Sequence, residues 1–242
     1  MRIPSALAIW TMASAAWLAT PAAAQDWNNL ATSEAMNQVH ATMRQHMIVN
    51  PHEQDDDQPP RRSADRAHID PAYDVDPAIR RGVQQQLIAD VSRQHAAAGE
   101  ELAQVFARHD LIAMMDQAVA SMGLRSGNVI DAVTIYRLAL WGAAKGLTVP
   151  QPQLSVAGLR AQTQASFDLA GAGLDNAQKR QQFAETLLYQ AVLMDLASEQ
   201  AHKSGDQAAI RALTQGARQA LIASGIDPDH MDLTGQGFVP AR

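Results

Sequence analysis

The chain has 242 residues, a formal net charge of -6 and no cysteine. A mildly acidic chain lacks the clustered Lys and Arg that nucleic acid and anionic lipid reward. The missing thiols exclude thiol catalysis, Cys-based zinc sites, iron–sulfur clusters and a disulfide framework, so stability must come from burial.

The chain opens with one positive charge, Arg2, then an apolar stretch over 6–18, the helix breaker Pro21 and the small residues Ala22-Ala23-Ala24. This three-region pattern predicts a secretory signal peptide over 1–24, cleaved to leave Gln25 first. Removing Arg2 takes the net charge from -6 to -7. The apolar run is shorter than the ~20 residues that span a bilayer, and no later stretch is long and apolar enough. Lysine occurs only at 145, 179 and 203, against 16 Arg and heavy Ala usage. That bias is expected of a GC-rich bacterial genome. With the leader it favours a periplasmic or secreted protein of a Gram-negative bacterium.

A short helix is expected over 33–48, within an N-terminal unit of 25–49. Residues 50–75 hold Pro51, Pro59, Pro60, Pro71 and the acidic run 55–57. Their polarity and prolines predict a disordered linker. A helical core domain is expected from Asp76 to Arg242, because Asp76-Pro77 pairs an N-cap with Pro at the first helical position. Its helices are expected at 77–95, 100–108, 111–122, 129–145, 155–170, 176–203 and 207–224. Asp110, Asn128, Asp175 and Asp206 serve as N-caps, and Gly123, Gly146 and Gly205 as stops. The tail from Ile226 is expected to be extended, with Phe238 anchoring it. Two of these helices, 129–145 and 178–201, are apolar nearly all round and therefore central. The fold class is all-α: a helical bundle of about six to seven helices with a flexible N-terminal extension. No solenoid repeat is evident.

Several runs of the core resemble a family of secreted bacterial proteins, domain of unknown function 6683. They are Gly123-Leu124, Asn128-Val129-Ile130-Asp131-Ala132, Trp141, Gly146, Arg160-Ala161-Gln162, Phe183-Ala184-Glu185 and Leu233-Thr234-Gly235-Gln236-Gly237-Phe238. The resemblance covers about 73–239. Arg137 departs from it, standing where an apolar or aromatic residue is expected. The family implies domain limits and export, and no activity.

Two groups of residues are candidates for chemistry. Asp131, Arg137, Glu185, Gln190 and Asp195 are polar positions on the two central helices. Arg137 with Asp195 or Glu185 is expected to form an interior ion pair, since a buried charge must be paired. A structural polar network is the leading reading, and an acid/base pair of Glu185 and Asp195 in a cleft is the alternative. On the first helix, Met36, His40, Met43 and Met47 fall within about 60° of arc at 100° per residue. Thioether and imidazole suit Cu(I), although Met at such positions is also an ordinary gap-filler of an apolar stripe.

Other motifs are missing. His52-Glu53 lacks the second His of a zincin helix, and Asp227, Asp229 and Asp232 lack the Gly and Glu of a calcium loop. There is no G-x-S-x-G elbow, Walker A or G-x-G-x-x-G. Three readings stay open. The first is a non-enzymatic protein binding a partner in the periplasm or cell envelope. The others are copper handling through the Met/His face, and an enzyme using Glu185 and Asp195.

Overall fold

The computed structural model describes residues 69–147 and 152–241. The leader, the N-terminal helix with Met36, His40, Met43 and Met47, and most of the expected linker lie outside the described residues.

Among the described residues seven α-helices form, and most begin where a short polar side chain satisfies the free N–H groups of a first turn. Asp76 accepts from the Ala78 N–H and opens α1 (Pro77–Gln94), with Pro at the first position. His95 separates it from α2 (Ala96–Arg108) without a side-chain cap. Asp110 caps α3 (Leu111–Val119), a 3-10 turn over Ala120–Met122 continues it, and Gly123 ends it at φ 75°. Asn128 accepts from the N–H groups of Ile130 and Asp131 to start α4 (Val129–Ala144). Then follow α5 (Gln153–Ser166), α6 (Ala177–Ser204) and α7 (Gln207–Ala223), the last capped by Asp206.

The all-α class holds, with four local differences. The second helix starts at Ala96, four residues before the expected start, because His95 alone separates it from α1. The fifth helix stops at Ser166, four residues before the expected end. Phe167 turns extended there to stack on Phe183, ring centroids 5.9 Å apart, and Leu169 is buried beyond it. A helix continued through 170 could not place both side chains inward. The cap of α6 is Asn176, which accepts from the Lys179 N–H, and Asp175 instead meets the Lys179 ammonium at 2.9 Å. The tail is a hairpin, β1 (Met231–Thr234) paired antiparallel with β2 (Gly237–Pro240), where only an extended segment was expected. β1 does alternate, apolar Met231 and Leu233 with polar Asp232 and Thr234, but four residues are the shortest run in which that signal can be read.

The centre is α4 on α6, as their apolar character predicts. Every residue from Asn128 to Arg137 is buried, and so is almost every residue from Phe183 to Met194. Around this pair stand α7 and α5 against α4, and α1 and α3 against α6. α2 lies on α1, and the hairpin lies on α5. Phe238 is buried against Trp141, ring centroids 5.1 Å apart, which makes it the anchor expected of it.

The end of the expected linker is packed. The Tyr73 N–H donates to the Gly127 carbonyl and the Val129 N–H to the Pro71 carbonyl, while the Tyr73 hydroxyl donates to the Ser126 carbonyl at 2.6 Å. An aromatic ring with a polar tip holds this segment where proline content alone suggested a free chain. Among the described residues no helix is long and apolar enough to cross a membrane.

Candidate functional site

Glu185 lies one turn beyond Gln181 on α6 and has no exposed surface. A carboxylate so placed needs donors. Its Oε1 receives three: Arg80 Nε at 3.0 Å, Arg80 Nη2 at 2.9 Å and Gln181 Nε2 at 3.1 Å. Arg80 comes from the first turn of α1, which the Asp76 cap and Pro77 fix in place. Gln181 ties the two helices a second time, donating to the Asp76 carbonyl and accepting from the Asp76 N–H, each at 2.9 Å. Two tyrosines border the cluster. Tyr189 accepts from Gln84 Nε2 at 2.7 Å, and burial pushes its hydroxyl pKa up to about 12. Burial, and then Glu185, push the Tyr73 hydroxyl well above the ordinary phenol range.

Asp131, buried in the first turn of α4, receives Arg160 Nε of α5 at 2.6 Å. Two residues further along α5, the Gln162 amide accepts from the Phe238 N–H and donates to the Phe238 carbonyl, both at 2.9 Å. Asp131 and Gln162 therefore bind α4, α5 and the hairpin into one unit.

The expected ion pair of Arg137 with Asp195 or Glu185 does not form. Glu185 is taken by Arg80, and Asp131 by Arg160. Both partners come from peripheral helices distant in sequence, which the reading of two central helices alone could not supply. Arg137 itself is fully buried, and its Nε and Nη2 have no acceptor. Burial alone lowers its pKa, to about 9, so it remains a cation at neutral pH. Gln190 is buried on α6.

Asp195 stands ten residues after Glu185, about 15 Å along a helix rising ~1.5 Å per residue. Crowding by the surrounding protein, and then Glu199, raise its pKa to about 6, although the residue keeps an exposed side. The two carboxylates are thus not brought together as an acid/base pair.

Arg80, Arg160, Gln162 and Gln181 were missed as site residues. Arg160 and Gln162 stood in one of the runs that carry the family resemblance, so a signal for them existed. Arg80 and Gln181 had none, since each looks like an ordinary polar residue near the start of a helix. Among the described residues no group of three or more His, Asp or Glu could hold a metal ion. Met36, His40, Met43 and Met47 lie outside them.

Compared with known proteins, residues 3–240 match the model of a family of unknown function, DUF6683. No curated protein and no solved structure matches the chain.

Proposed function

The chain belongs to this family of unknown function, and from that premise we propose that it is an exported protein which works by binding a partner in the periplasm or cell envelope. The observation that supports this over catalysis is the state of Glu185. Three donors hold one of its oxygens, its other oxygen is buried, and the nearest candidate acid on its helix is about 15 Å away. A general acid or base must reach the proton it moves. Glu185 acts instead as a joint between α1 and α6.

The leader supports export. Fusing the chain to alkaline phosphatase, which is active only outside the cytoplasm, tests it, and mass analysis of the product should find Gln25 first. Cytoplasmic retention would overturn the localisation. For the partner, photo-crosslinkers placed in cells across 25–68 and on the exposed side chains Leu154 and Ile222 are expected to give discrete protein adducts. The reading fails if no position gives an adduct while the purified protein turns over a substrate in a Glu185-dependent way.

A second reading rests on the shared face of Met36, His40, Met43 and Met47, whose ligand chemistry suits Cu(I). Anaerobic Cu(I) titration decides it. A Met36→Leu/Met43→Leu/Met47→Leu variant should lose the binding, and no site tighter than about micromolar in the parent chain sinks the idea.

A further inference from the structure

Arg137 is a buried cation for which the described residues provide no ion pair, and its Nε and Nη2 have no hydrogen-bond partner. Its neighbours three and four residues away on α4 are Val133, Thr134, Leu140 and Trp141, all buried. The Thr134 hydroxyl donates back to the Ile130 carbonyl at 2.8 Å. The acids of the central helices are engaged elsewhere or turned outward: Asp131 meets Arg160, Glu185 meets Arg80, Glu199 meets Lys203, and Asp195 has an exposed side. An uncompensated interior charge is among the most costly groups a fold can hold. A ligand that supplies the missing anion therefore stabilises the folded chain by mass action.

The geometry of the orphaned atoms specifies that ligand. Nε and Nη2 are the two unmet donors, and they lie on one edge of the guanidinium. Their hydrogens run parallel, the fork that takes both oxygens of a carboxylate or two oxygens of a phosphate. We propose that Arg137 anchors a buried site for a small anionic group, a carboxylate or a phosphate, held bidentately on that edge. Both atoms have almost no accessible surface. Entry of the anion therefore requires the packing around Arg137 to open locally.

The test is thermal unfolding of the purified protein in sodium phosphate and in sodium acetate, each against sodium chloride at equal ionic strength. The midpoint should rise by roughly 5–10 °C at a hundredfold excess over Kd. A response to phosphate alone identifies a phosphate ligand, and a response to acetate alone a carboxylate. The Arg137→Met variant should melt higher than the parent in chloride and ignore both anions. Arg137→Lys keeps the charge without the fork and should respond weakly. The proposal is overturned if neither anion moves the parent, or if Arg137→Met responds as the parent does. Should these variants fail to fold, the Arg137 Nε–H resonance of the parent, labelled with nitrogen-15 arginine, serves instead. It should shift and gain exchange protection with the active anion, and an unmoved resonance refutes the site.

Discussion

Arg80 and Glu185 form a lopsided pair, because the carboxylate is wholly buried while the guanidinium is 20% exposed and also lies 3.7 Å from Asp110. The consequences of breaking it are lopsided too. Arg80→Met leaves a charged group buried with only the Gln181 amide, and such losses cost about 3–5 kcal/mol. Glu185→Gln leaves a neutral amide of the same shape, while Arg80 keeps water and Asp110, so a loss of about 1–3 kcal/mol is expected. Urea unfolding of both variants measures the difference, and equal losses would show that the pair is not held as described. This asymmetry also explains what could be read in advance. That Asp131, Arg137 and Glu185 would be buried followed from the apolar residues around them on their own helices. Which cation meets which carboxylate did not follow. Arg80 is 105 residues from Glu185 and Arg160 is 29 from Asp131, and such pairings depend on how helices are laid against one another.

At the scale of elements, the hairpin on α5 depends on a glycine. A Cβ added at Gly158 would lie 2.2 Å from the Gly235 carbonyl oxygen and 2.8 Å from the Gly237 nitrogen. Both are backbone atoms, which cannot turn aside as a flexible side chain can. Gly158→Ala should therefore push the hairpin off α5, breaking the paired bonds of Gln162 with Phe238. Overpacking of this kind costs typically 1–3 kcal/mol. Helix propensity works the other way, favouring Ala by about 1 kcal/mol, so a net loss identifies the backbone contact as dominant. Hydrogen exchange should locate the loss at the amides of 231–240 while α6 stays protected, and unchanged hairpin protection would refute it. Asp76, Asn128, Gly123 and Gly205 bounded their helices legibly, because caps and left-handed stops act through the nearest few residues. The early end of α5 was not legible, and the hairpin was legible only through the short alternation of Met231–Thr234 before Gly235. Phe167 leaves its helix to reach Phe183, and β2 is placed by Gln162, so both features are decided by contacts between elements.

For the whole molecule, the three tyrosines provide a common test of burial, since Tyr73, Tyr136 and Tyr189 all lie within the core. Burial raises the hydroxyl pKa of each, that of Tyr189 to about 12. An unfolded chain releases those protons near pH 10. Below that value tyrosine is protonated in both states and contributes no slope. Above it the unfolded chain binds fewer protons than the folded one, so stability falls with rising pH. The slope is about 1.4 kcal/mol per pH unit for each tyrosine whose proton is retained. With three acting together, a protein of ordinary marginal stability should unfold cooperatively within a few units above about pH 10. Tyrosinate absorbance should stay low up to that transition and then rise with the loss of helical signal. Tyr189→Phe removes one titrating group along with the bond from Gln84. It should therefore be about 0.5–1.5 kcal/mol less stable near neutrality yet lose stability less steeply at high pH. Tyrosines that ionise near pH 10 while the helices remain intact would show that the core is open to water around them, and the closed bundle of α4 and α6 would have to be reconsidered.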